Sequence, residues 1–273
     1  MDVAILGVEG VGRQYASACA RTGLVVSLCG SDANAVVDAV ESLGASGDSR
    51  VDGTTDVPAA VTDADAVIET RPGDPETCRE RLAEIEDHAP DDALLAVTVE
   101  NRSMTSLGVA LREPDRLVGL HSAAPIGVGD PIEVIVAELT GQEAARAAEA
   151  FVAELGWEPL RVRDAPGFVS GRLRLALQAE AIRLYEGGVA NPSTIDKAMV
   201  TADGHDAGPL ELSDRQGLDA VLDALESLAE TVGSRYDPPQ LLREKVAADQ
   251  LGRESGEGFY EWENGEPTGP ADE

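Results

Sequence analysis

Between a short apolar run, Val3-Ala4-Ile5-Leu6, and a helix-like stretch over residues 12–21 lies the segment Gly7-Val8-Glu9-Gly10-Val11-Gly12. A glycine-rich turn from strand to helix narrows the choice of fold sharply. Glycine permits the tight turn, lets the backbone approach a ligand, and lets the helix pack closely on the strand. The helix start that follows carries unpaired N–H groups and the positive end of the helix dipole, which suit a phosphate. Gly7 and Gly12 have the spacing for the first and third of those roles, while the middle position is Glu9 and Gly10 falls one place late. At the end of the next apolar run, where an acidic residue would hold an adenine ribose, stands Gly30, followed by Ser31 and Asp32. Two readings of the loop stay open: a dinucleotide cradle, and a tight turn that serves packing alone.

The rest of the first 164 residues continues the pattern. Residues 24–29 read as a second strand and 33–43 as its helix, with later strands over 66–68, 94–97, 117–120 and 132–136. Residues 140–155 form an alanine-rich amphipathic helix with Thr140 as its cap, and the polar, Gly-rich stretch 45–56 reads as a loop. The alternation predicts an α/β fold, a Rossmann-type doubly wound parallel sheet over residues 1–164. After Asp164-Ala165-Pro166-Gly167 the period changes. Residues 169–186 and 218–232 repeat apolar side chains at helical spacing, which predicts an all-helical domain over 165–263. Residues 264–273, polar with two prolines, read as a flexible tail.

Length and charge set the remaining bounds. The 273 residues suffice for one large domain or two ordinary ones. Acidic residues number 51 against 21 basic ones, so the net charge is −30, and the acids are spread along the chain. Such a field repels nucleic acid and anionic lipid, and neither is an expected partner. Lysine occurs only at Lys197 and Lys245. Self-repulsion on this scale opposes compaction in dilute buffer, whereas in molar salt the screening length falls to ~3 Å. The composition reads as halophilic, an adaptation to a salt-rich cytoplasm; the alternative is an ordinary acidic protein. Cys19, Cys29 and Cys78 form no CxxC pair and suggest neither a zinc site nor a disulfide framework, so no metal is expected. No apolar run approaches the ~20 residues of a membrane span. The start lacks the basic and apolar regions of a signal peptide, so a cytoplasmic location is expected.

Several stretches then line up in order. Ala64-Asp65-Ala66-Val67-Ile68-Glu69 is followed by Arg112-Glu113-Pro114-Asp115-Arg116-Leu117-Val118-Gly119-Leu120-His121, by Pro131-Ile132-Glu133-Val134-Ile135, and by Asp164-Ala165-Pro166-Gly167-Phe168-Val169. Gly208-Pro209-Leu210-Glu211-Leu212 and Gly252-Arg253-Glu254-Ser255-Gly256-Glu257-Gly258-Phe259-Tyr260 close the series. Together these resemble the L-3-hydroxyacyl-CoA dehydrogenase family, including the bacterial 3-hydroxybutyryl-CoA dehydrogenases of fatty acid metabolism. The resemblance implies an NAD-binding domain joined to a helical domain that forms a homodimer. It also implies an acyl-CoA substrate and hydride transfer between carbon 3 of that substrate and NAD. The family's histidine falls on His121 and the glutamate that holds it on Glu133. Cofactor contacts fall on Gly7, Gly10, Gly12, Ser31 and Glu69.

The departures cluster on the positions that touch ligands. The family's active-site serine falls on Glu100 with Asn101 beside it, its asparagine on Gly171, and the asparagine just after the histidine on Ala124. An acid expected shortly after Glu69 is Gly73, and of two following basic positions Cys78 takes one and Arg79 keeps the other. The stretch from Ser31 to Asp63 is shorter than the arm that covers acyl-CoA in typical members. Two functions follow: an oxidoreductase with a remodelled pocket that includes Glu100, Asn101 and Gly171, and a non-catalytic paralogue. The missing ribose acid would also permit NADP, although no arginine follows Gly30 to hold its extra phosphate. Asp196 and Asp214 read as a helix cap and a polar anchor, and the turn before Phe259 as a device that packs the two aromatic rings there.

Overall fold

The computed structural model describes residues 1–44, 50–71, 73–99, 102–122 and 126–271, leaving aside the side chain of Asp203. It divides into two compact units, Met1–Phe168 and Val169–Glu273.

The first unit alternates strands and helices: β1 (Asp2–Leu6), α1 (Gly10–Arg21), β2 (Val25–Cys29), α2 (Ala33–Gly44), β3 (Arg50–Thr54), α3 (Val57–Val61), β4 (Ala66–Glu69), α4 (Pro75–His88), β5 (Leu94–Thr98), α5 (Met104–Gly108), β6 (Leu117–His121), β7 (Pro131–Val136), α6 (Gln142–Glu154) and β8 (Glu158–Arg163). The strands form one sheet in the order β3-β2-β1-β4-β5-β6-β7-β8. It is the doubly wound arrangement expected, parallel throughout except at β6 and β7, which pair antiparallel. The central strands are buried on both faces, so they read as continuous apolar runs such as Val3-Ala4-Ile5-Leu6. One face packs against α1, α2 and α6 through Tyr15, Leu43 and Phe151; the other packs Leu82, Ile85 and Leu107 from α4 and α5. Cys19, Cys29 and Cys78 are free and buried, and burial pushes each thiol up, Cys19 to about 12, so they pack as small apolar groups.

Two strands depart from the sequence reading. Within the stretch expected as a loop, residues 45–49 lie outside the described residues, and Arg50–Thr54 pairs with β2 as an edge strand. Only one of its two faces meets the core, and the alternation is carried by a single apolar residue, Val51. Edge strand β8, Glu-Pro-Leu-Arg-Val-Arg, is likewise half exposed. Thr140 is not the cap of α6; Gly141 holds that place, and the Thr140 hydroxyl donates to the Leu117 carbonyl (2.8 Å) and accepts from Ala137 N (3.0 Å).

The second unit holds α7 (Ser170–Glu186), α8 (Pro192–Asp203), α9 (Pro209–Gln216), α10 (Leu218–Thr231), α11 (Gln240–Ala247) and a hairpin of β9 (Tyr260–Glu263) and β10 (Glu266–Pro270). The hairpin replaces the tail expected from residue 264. Its turn is Asn264-Gly265, with φ of 53° and 83°, the pair that two-residue hairpins favour. Buried carboxylates fix it in place. Asp214 accepts from Phe259 N and Tyr260 N (2.9 Å each) and from Trp262 Nε1 (3.0 Å). Asp196 accepts from Leu210 N (2.9 Å) and Glu211 N (2.8 Å), capping α9 from a neighbouring helix, and from the Tyr260 hydroxyl (2.9 Å).

Candidate active site

The glycine loop has the geometry its sequence suggests. Gly7 and Gly10 take φ of 128° and 50°, conformations that disfavour side chains. A Cβ on Gly12 would fall on the Gly7 carbonyl, and one on Gly7 would fall on the Thr70 hydroxyl, so α1 starts tightly against β1 and β4. Glu9 occupies the N-cap in extended conformation, makes no side-chain cap bond, and is exposed rather than folded into the turn. No acidic residue sits in the first turn. The first-turn N–H groups are therefore left to an external anion, and the loop fits the diphosphate of a dinucleotide.

The neighbouring positions are more committed. Ser31 follows β2 and is exposed, and Asp32 caps α2 by accepting from Ala35 N at 2.8 Å. Glu69 ends β4, fully buried, and its carboxylate is taken by Arg71: it accepts from the Arg71 backbone N at 2.8 Å and from Nε at 2.9 Å, and pairs with Nη2. Gly30 is sealed, because a Cβ there would lie 2.8 Å from Val8 Cγ1 and 2.9 Å from Val36 Cγ2. Gly30→Asp is therefore expected to lower stability by about 1–3 kcal/mol in denaturant titration, without tightening NADH.

His121 and Glu133 stand directly opposite each other in the antiparallel register of β6 and β7. Both are buried. The group that orients the imidazole is one that sequence reasoning missed: Nδ1 lies 2.7 Å from the Val99 carbonyl, while Val99 N donates to the Leu120 carbonyl (3.0 Å). A backbone carbonyl only accepts, so Nδ1 carries the proton and Nε2 keeps a lone pair in the neutral ring. Nε2 is buried, has no hydrogen bond among the described residues, and lies 3.9 Å from Glu133 Oε2. The two groups are therefore neighbours without a hydrogen bond between them. Phe168 packs on the ring at 5.2 Å between centroids, and its φ of 48° is unusual for a bulky residue and is imposed by the turn after Gly167.

Asp164 secures the neighbouring wall. Its Oδ2 accepts from Ser103 Oγ (2.9 Å), Thr105 N and Thr105 Oγ1 (2.8 Å each), tying the start of α5 to the end of β8. Glu100, Asn101 and Ala124 lie outside the described residues. Gly171 is buried in the first turn of α7, in the second unit. Among the described residues no group of His, Cys, Asp and Glu is arranged to hold a metal ion.

Comparison with known proteins then decides the family. The 3-hydroxyacyl-CoA dehydrogenase NAD binding domain matches residues 2–165, and the C-terminal domain of the same enzymes matches residues 167–262. This chain belongs to the 3-hydroxyacyl-CoA dehydrogenase family. It is similar to a probable 3-hydroxybutyryl-CoA dehydrogenase of Bacillus subtilis, 36% identical over 201 residues, spanning 73% of this chain and 70% of that protein. It is also similar to the human mitochondrial hydroxyacyl-coenzyme A dehydrogenase, 32% identical over 77% of this chain and 67% of that protein. The crystal structure of (S)-3-hydroxybutyryl-CoA dehydrogenase from Ralstonia eutropha superposes with a TM-score of 0.91 at 30% identity, covering 96% of this chain and 99% of that one. As a 3-hydroxyacyl-CoA dehydrogenase family member, the chain carries the family's NAD-binding domain, and the glycine cradle is where its own residues suit that cofactor.

Proposed function

We propose that this chain moves hydride between carbon 3 of a 3-hydroxyacyl-CoA, or a related 3-hydroxy acid, and NAD, with His121 as proton acceptor. The observation that carries the reading is the opposition of His121 and Glu133 across β6 and β7, with the ring fixed on the Val99 carbonyl. NAD held at the glycine loop supplies the hydride chemistry. Before reaction, Nε2 and the Glu133 carboxylate are both acceptors, which accounts for a separation longer than a hydrogen bond. When Nε2 takes the proton of the substrate hydroxyl, the imidazolium gains a carboxylate neighbour in a buried setting, where such charges interact strongly. Gly171 and Glu100 at the family's asparagine and serine positions favour the second reading, a paralogue that keeps the fold without turnover.

One experiment separates them. NADH and NADPH are titrated in multimolar KCl, then acetoacetyl-CoA reduction is assayed with and without His121→Ala. Nucleotide binding with His121-dependent turnover supports the dehydrogenase. A folded protein that binds neither nucleotide supports the paralogue.

The setting we assign is a salt-rich cytoplasm, supported by the net charge of −30 and the two lysines. Among the described residues no helix is long and apolar enough to cross a membrane. The assembly we assign is a homodimer through the helical unit, supported by the exposed apolar side chains of Leu173, Val189 and Val200 there. The melting temperature is expected to rise by about 10 °C or more between dilute buffer and molar KCl, as self-repulsion is screened. A flat profile removes the halophilic assignment.

A further inference from the structure

Among the described residues, those other than glycine with a left-handed backbone are Phe168, Asp249 and Asn264. Aspartate and asparagine tolerate that region, whereas a bulky side chain there is an outlier. Phe168 is also the residue whose ring packs on His121. We infer that Phe168 is a positioning residue for the reaction: its ring holds the His121 imidazole in the orientation that leaves Nε2 open to the substrate hydroxyl. The inference rests on the reading of His121 as proton acceptor and adds to it the side chain that keeps the acceptor in place.

The backbone comes first. Ala165-Pro166-Gly167-Phe168 forms a turn closed by Phe168 N, which donates to the Ala165 carbonyl at 3.0 Å. Proline second and glycine third, with Gly167 at φ of 71°, is the type II pattern, whose third position needs a left-handed residue. The chain stays left-handed one residue longer, at Phe168 with φ of 48°. A glycine would take that step without a clash between Cβ and the neighbouring carbonyl. The step persists because the chain before it is anchored: Asp164 N donates to the Val136 carbonyl at 3.0 Å, and Asp164 Oδ2 holds Thr105. Strain kept in place by its surroundings, at a residue type that raises its cost, points to a use for the side chain.

The imidazole has need of that side chain. The Val99 carbonyl, 2.7 Å from Nδ1, is one point of attachment, and Glu133, 3.9 Å from Nε2, adds no hydrogen bond there. A histidine ring held at one point turns readily about its last torsion, where the preferences are broad. Phe168 limits that freedom, with ring centroids 5.2 Å apart and planes at 50°. Its own ring is held in turn, because it is buried within the apolar cluster that includes Leu82, Met104 and Leu107. The tautomer follows from the orientation. While the ring keeps its place, Nδ1 donates to the Val99 carbonyl and the lone pair stays on Nε2.

Nitrogen NMR of the histidine rings, together with steady-state kinetics on the whole chain in molar KCl, tests the inference. The chain has 3 histidines, so the His121 signals are identified by their loss in His121→Ala. In the wild type its two ring nitrogens should give separate signals, Nδ1 protonated and Nε2 not. Phe168→Leu keeps apolar volume but loses the flat ring. There the two signals should move toward their average, and kcat for acetoacetyl-CoA reduction should fall about tenfold, while KM and NADH affinity change by less than about twofold. Phe168→Gly, which passes the turn freely, should show the same shift and a larger fall in kcat. Leu82→Ala, a cavity on α4 in the same cluster, should lower stability in urea and leave both readouts unchanged. Unchanged nitrogen signals in both Phe168 variants, with turnover that still depends on His121, overturn this inference alone. So does a Leu82→Ala variant that reproduces the shift and the loss of kcat. Full turnover in His121→Ala overturns the proton-acceptor reading, and this inference with it.

Discussion

His121→Ala is expected to lower kcat/KM for acetoacetyl-CoA reduction by about 10²–10⁴-fold, the range that a positioned general acid or base supplies. NADH affinity should stay close to that of the wild type, because the glycine cradle and the imidazole sit on different strands, β1 and β6. The two readouts together matter. A structural role for the ring would appear as lost stability, since His121 bridges Val99 and Phe168. A chemical role appears as lost turnover in a folded, NADH-binding protein. Retention of full activity would remove His121 from the mechanism.

The largest expected loss of stability is in the second unit. Asp214→Ala strands three buried donors at once, the N–H groups of Phe259 and Tyr260 and the indole of Trp262. It also removes the side chain against which Gly258 is packed. Each unsatisfied buried group costs about 1–3 kcal/mol, and the three act on one hairpin, so a total of about 3–5 kcal/mol is expected in urea unfolding. Burial pushes the carboxyls of both Asp214 and Asp196 up. A carboxyl raised in the folded state contributes most below its unfolded pKa near 3.8 and loses that contribution as pH rises through the folded value. The same urea series should therefore show wild-type stability declining above pH 4 by an amount that shrinks in Asp196→Asn. A change below about 1 kcal/mol for Asp214→Ala would show that the hairpin is held by packing alone.

Much of this was legible in the chain because burial on both sides of a sheet leaves long apolar runs. The central strands follow from those runs nearly to their ends, and the change of period after residue 164 anticipates the second unit, which begins at Val169. Edge strands escaped because they have one buried face: in Arg50–Thr54 a single valine carries the signal, among residues that also suit a loop. The hairpin turn after Glu263 had its own marker in Asn264-Gly265, outweighed by two prolines that look like a fraying end. At the site, Glu133 could be placed within a strand and His121 just beyond the end of one, and their pairing follows once β6 and β7 run antiparallel. The Val99 carbonyl could not be read, since a backbone acceptor leaves no trace in residue identity. Nor could the fate of Glu69, whose carboxylate is taken up by an arginine only two residues away.

The margins of the sheet carry one more consequence. Strand β3 presents Arg50, Asp52 and a glycine along one border, and β8 presents Glu158, Pro159, Arg161 and Arg163 along the other. An incoming strand from a second molecule would have to desolvate those ionic side chains, and at Pro159 it would meet a residue with no N–H to share. End-to-end growth into ribbons is thereby discouraged at both borders, so self-association is directed away from strand addition and toward side-chain docking.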